Sequence, residues 1–147
     1  MKSVVLGLLL AFVASQAMAA EGQWLTDLPK AQEKAKAEKK MVLVDFTGSD
    51  WCPPCKALHK NVLSSEEFMK YAKDNLVLVE IDFPRSKSQS AELKKSNKDL
   101  AQKHKIEGYP TVIVFDSTGK ELSKDVGYDG KTTPEQYVAK LKKLQKS

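Results

Sequence analysis

Cysteine is nearly absent: the chain of 147 residues holds two, Cys52 and Cys55, with two residues between them. That rules out a disulfide-stapled scaffold, which needs several bridges. A four-ligand zinc site built on thiolates is also excluded, because there is no second pair. Arginine is scarcer still, since Arg85 is the only one among 24 basic residues. Phosphate and nucleic-acid recognition favours arginine. The net charge of +5 therefore reads as lysine on solvated helix faces, and no nucleic-acid partner is expected. The two histidines, His59 and His104, read as surface residues, and no metal site is expected. Long apolar runs are missing too. The one candidate, Val4 to Val13, is too short to span a bilayer comfortably. Lys2 precedes it and Ala17-Met18-Ala19 follows it, the pattern of a secretory leader with its cleavage site. Residues 1–19 are thus expected to be a cleaved signal peptide, and residues 20–147 one exported domain. Its destination is the periplasm or another compartment outside the cytoplasm, where a cysteine pair can persist as a disulfide.

The mature part is the size of one domain. Trp24 suggests a short edge strand, and Leu28, Ala31 and Ala35 recur at helical spacing. Met41 to Thr47 reads as a strand with apolar residues on both faces, so it belongs in the middle of a sheet. Met41, Leu43 and Asp45 share one face, which makes Asp45 a buried carboxylate. Ser64 and Glu67 match a capping box for the next helix. Leu76 to Ile81 and Thr111 to Phe115 are further apolar strands, and Ala91 to Lys105 is a surface helix. The turn Ser117-Thr118-Gly119 leads into an antiparallel partner, Glu121 to Val126. Thr133, Pro134 and Gln136 open the last helix with a capping box. Helices and strands in this order imply an α/β domain with a central mixed sheet flanked by helices on both faces.

The stretch Trp51-Cys52-Pro53-Pro54-Cys55-Lys56 falls where the strand Met41 to Thr47 hands over to a helix. Cysteine attacks as the thiolate, and a helix N-terminus stabilises negative charge. Cys52 at the N-cap, with Pro53 at the first helical position, suits that use. Cys55 lies one turn further in. Haem attachment would need His directly after the second cysteine, and Lys56 stands there. A static disulfide remains the rival reading of the pair.

The W-C-x-P-C motif, Tyr109-Pro110-Thr111 before the third strand, and the element order together resemble the thioredoxin superfamily, from about Lys40 to Leu144. Phe46 to Cys52 is most similar to exported bacterial members, including the C-terminal domain of the reductant conduit DsbD. The resemblance implies a thioredoxin fold with Cys52 as exposed nucleophile and Cys55 as buried resolving thiol. It implies that Asp45 exchanges protons with Cys55. Pro110 would be cis, with Tyr109 and Pro110 offering an edge for substrate. Trp51 would either touch substrate or pack beside the disulfide. Two departures stand out. An extra residue separates Asp45 from Cys52, which threatens to move Asp45 away, and the segment from Phe83 to Ile106 is longer.

Two function classes follow. The first is a thiol–disulfide oxidoreductase acting on protein thiols and disulfides, with no cofactor. It would be recharged by an upstream electron donor, for which a membrane reductase is the candidate, and would act as a monomer. Pro53-Pro54 between the cysteines is similar to some exported reductases of the superfamily, and that resemblance implies reduction. The second is a thiol binding module without turnover, such as a copper carrier holding Cu(I) between soft thiolates.

Overall fold

Every residue of β1 (Met41–Thr47) is buried, as its two apolar faces require. The computed structural model describes residues 23–147; the expected leader lies outside them. β1 sits between parallel β2 (Leu76–Asp82) and antiparallel β3 (Thr111–Phe115), and β4 (Glu121–Val126) closes the sheet in the order β2-β1-β3-β4. Leu25, next to Trp24, adds a single parallel bridge to Val79 rather than a strand. β4, at one edge, has no fully buried residue, whereas β2 at the other edge is mostly buried.

The two faces carry two separate cores. On the first, Met41, Leu43, Leu76, Leu78, Val112 and Val114 pack under Leu58, Val62, Phe68 and Leu141. These belong to α2 (Pro53–Leu58), a π-helical turn (His59–Leu63), α3 (Glu66–Asn75) and α5 (Pro134–Gln145). On the second face, Val42, Val44, Phe46, Val79 and Ile113 meet Leu28, Ala31 and Ala35 of α1 (Leu28–Glu38). α4 (Ala91–Lys103) buries Asn97 alone. It is fastened by Leu100 against the second core and by the Asn97 Nδ2–H donating to the Asp82 carbonyl at 3.0 Å.

The helix ends follow their capping chemistry, with one correction. Thr133 and Gln136 form the reciprocal capping box of α5, an arrangement whose loss costs about 1 kcal/mol. The expected Ser64–Glu67 box is absent. Ser65 caps α3 instead, its Oγ accepting from Phe68 N–H at 3.2 Å. The reason lies upstream: the π turn spends an extra residue, and Ser64 N–H closes it onto the His59 carbonyl at 2.8 Å. His104 is also corrected. It is half-buried rather than on the surface, its ring 5.5 Å from Phe115 and 6.2 Å from Phe46. Burial, then the Lys103 charge, holds its pKa below the usual histidine value.

Candidate active site

The cysteines sit at the carboxyl end of β1. Gly48, Ser49 and Asp50 turn the chain, and Cys52 occupies the N-cap of α2 with extended backbone. Its N–H donates to the Gly48 carbonyl at 2.9 Å, and its own carbonyl accepts from Lys56 N–H at 3.0 Å. Cys52 and Cys55 form a disulfide, their Cα atoms 5.2 Å apart. Residues 53 and 54 are both proline, so the first helical N–H belongs to Cys55. An N-cap side chain accepts from the second or third helical residue. Here only the third, Cys55, has an N–H to offer.

The exposure expected to separate the two cysteines is corrected. Cys52 is 3% exposed and Cys55 2% in the disulfide form. What still distinguishes them is position, one at the helix cap and one a turn inside.

Beneath the pair, Asp45 is 3% exposed, and no described residue hydrogen-bonds its Oδ1. Burial pushes its carboxyl up to about 8, with smaller contributions from the charges of Glu80 and Asp82. The extra loop residue does not carry Asp45 away from the site. Asp45 and Cys55 line the same hollow of about 320 Å³, together with Thr47, Glu80, His59, Lys56 and Lys87. Its polar walls and volume suit water.

Glu80 escaped the sequence reading. It pairs in register with Asp45 across the parallel β1–β2 ladder. Burial and the Asp82 charge raise its pKa, opposed by His59 and Lys87. Its signal was present as the one charge inside the run Leu76 to Ile81.

The other side of the motif is held by the loop after β2. Trp51 Nε1–H donates to the Phe83 carbonyl at 2.7 Å, and the indole meets Tyr109 edge-on at 5.9 Å. Phe83 and Tyr109 rings lie 5.3 Å apart. A Cβ on Gly48 would fall 2.6 Å from Trp51 Cζ2 and 2.7 Å from its Nε1, so this glycine makes room for the indole. Ser49 N–H and Oγ–H both donate to the Asp82 carboxylate, at 3.0 and 2.6 Å. The Tyr109–Pro110 peptide bond is cis. Pro110 is buried, and its carbonyl accepts from Gly127 N–H at 2.7 Å. Of the expected site residues, Asp45 and Cys55 thus share one hollow, while Trp51 and Tyr109, the chain neighbours of Cys52 and Pro110, pack together. The packing role of Trp51 is evident. The described residues hold no group of three His, Cys, Asp or Glu placed for a metal ion.

The Thioredoxin-like domain model matches residues 28–145. The chain belongs to the thioredoxin-like family. A curated relative, disulfide bond reductase DsbH of Chlamydia pneumoniae, is 36% identical over 106 residues, which is 72% of this chain and 63% of the relative. The chain therefore spans less than two thirds of that protein. A solved DsbH oxidoreductase superposes with a TM-score of 0.77 at 34% identity, covering 87% of each chain. The oxidised C-terminal domain of DsbD from Neisseria meningitidis shares the fold, with a TM-score of 0.61 at 18% identity over 83% of this chain and 99% of that one.

Proposed function

We propose that this protein is an exported thiol–disulfide oxidoreductase that reduces disulfides of other proteins. The observation that carries it is the Cys52–Cys55 disulfide, closed across a strand-to-helix junction over a buried, unpaired carboxyl. The names of its relatives, a disulfide bond reductase and a DsbH oxidoreductase, support the same reading. Residues 1–19 act as the leader, and residues 20–147 as the mature domain, a monomer in the periplasm.

In the reduced protein the Cys52 thiolate attacks one sulfur of a substrate disulfide. A Cys52–substrate bond forms, and the other substrate sulfur leaves as a thiolate that takes a proton. Cys55 then loses its proton to Asp45 and attacks the Cys52 sulfur. The second substrate thiol departs, and Cys52–Cys55 closes. The substrate gains two electrons and the protein loses them, so an upstream donor, for which we nominate a membrane reductase, must reopen the pair. Trp51, Tyr109 and Pro110 form the edge against which the substrate lies.

Pro54 favours reduction as the working direction. It removes the N–H of the second helical position, which would otherwise stabilise the Cys52 thiolate. A less stabilised reduced form has a lower potential and gives up electrons more readily. The test is the reduction potential measured against glutathione, together with insulin reduction. A potential well below that of glutathione and catalysed insulin reduction support the reading. A protein that binds Cu(I) tightly and turns over no disulfide overturns it.

A further inference from the structure

The chain's single arginine sits on the rim of this site. The Arg85 guanidinium carbon lies 3.8 Å from the centroid of the Trp51 ring, and Trp51 is the neighbour of Cys52. The platform is fixed from both sides. Trp51 is pinned by Phe83 and Tyr109. The Arg85 backbone is pinned by Asp50, whose Oδ1 accepts from Arg85 N–H at 3.0 Å and whose Oδ2 accepts from Ser86 N–H at 2.7 Å. Stacking uses the face of a guanidinium and leaves its in-plane N–H donors unspent. Among the described residues, none accepts a hydrogen bond from this guanidinium and no carboxylate pairs with it. The nearby acids are already committed, Asp50 to backbone amides and Asp82 to Ser49 and Lys87.

We propose that Arg85, laid on Trp51, is a binding site for a carboxylate, and that the protein selects disulfides flanked by Asp or Glu on its protein substrates. The inference rests on the function proposed above and adds its substrate class. A guanidinium held flat presents the planar fork that grips a carboxylate with two parallel hydrogen bonds. Because the stack already orders the side chain, binding does not cost the rotamer freedom of a solvated arginine.

One measurement judges the site without turnover. With a single arginine, the folded protein has a single arginine Nε–Hε resonance. Titrating the oxidised protein with a peptide carrying Glu next to Ser in place of the cysteine should move that resonance saturably, while a Lys-flanked peptide should not. No movement with the Glu peptide, or equal movement with both, overturns the proposal. A second measurement reads selectivity as the ratio of kcat/KM for Glu-flanked over Lys-flanked disulfide peptides. The ratio should fall roughly fivefold in Arg85→Gln and be nearly unchanged in Lys143→Gln, which removes the same charge on α5. Equal falls in both variants would assign selectivity to the overall field and refute the role of Arg85. If neither peptide is reduced, the proposed function fails, while the resonance still decides the carboxylate site. Free glutathione disulfide, which also bears carboxylates, serves as the small-molecule arm. Preference for it over the Glu peptide would refute a protein substrate.

Discussion

Replacing Asp45 by Asn should stabilise the oxidised protein and slow its chemistry at one step only. The carboxyl is shifted from 3.8 to about 8, and each unit is worth about 1.36 kcal/mol. Its sign is fixed by linkage. Below pH 4 the group is protonated in both states and costs nothing. Between pH 4 and 8 the unfolded chain gains by ionising and the fold does not, so stability falls. Above 8 both states are ionised and the penalty is constant. At pH 7 the penalty is on the order of 4 kcal/mol. The Asn amide, buried where Oδ1 has no partner, returns about 1–3 kcal/mol of that. A net gain of about 1–3 kcal/mol remains, roughly 5–10 °C in Tm. Urea unfolding of both oxidised proteins from pH 4 to 9 reads it directly. The gap should widen by about 1.36 kcal/mol per pH unit and level off near 8. A gap independent of pH would show that Asp45 ionises as freely in the fold as outside it. Stopped-flow exchange should show mixed-disulfide formation unchanged and its resolution slowed, because only resolution needs the proton of Cys55 removed. Equal slowing of both steps would leave Asp45 a structural acid.

Other substitutions probe the remaining parts of the site. Cys52→Ser should abolish exchange, whereas Cys55→Ser should accumulate mixed disulfides, visible as mass adducts; adducts on Cys55 in Cys52→Ser instead would reverse the roles. Pro54→Ala returns an N–H to the second helical position, where an N-cap sulfur can use it. The potential should become more positive by on the order of 30 mV, and an unchanged or more negative value in a glutathione titration would dismiss the proline argument. Gly48→Ala drives a methyl into the indole of Trp51. It should cost about 1–3 kcal/mol and change the tryptophan fluorescence; a neutral effect on both would mean the loop yields freely.

Local pattern carries much of the fold. β1, β2 and β3 are apolar on both faces, so their existence is legible without any partner, as is the central placing of β1 and β3; β2 lies at the sheet edge. The Thr133–Gln136 box is equally local. The errors arise where one element borrows from another. Ser64 has the right spacing for a cap but belongs to the π turn, whose extra residue has no local signature. His104 lies among lysines in sequence, yet rests on Phe46 and Phe115 in space. Cys52 has the position of an exposed nucleophile but is buried in the disulfide form. The motif shows both cysteines plainly. It does not show the clamp around Trp51, because Phe83 and Arg85 reach it from more than 30 residues away.

Both supports of the motif leave from one stretch of chain, Glu80 to Arg85. Asp45 pairs with Glu80 and Thr47 with Asp82 in the parallel ladder. Side chains two apart share a face, so Glu80 lies beside Asp45 while Asp82 reaches Ser49. The chain then turns out of the sheet, bringing Phe83 and Arg85 onto Trp51. A slip of β2 by one residue would send each side chain to the opposite face. Glu80 would leave the carboxyl hollow, Asp82 would lose the loop, and Leu76 and Leu78 would leave the first core in the same movement. The register is therefore held by apolar burial at one end of β2 and used for chemistry at the other. That is how the loop after β2 holds Trp51 and Arg85 in place beside the reactive pair.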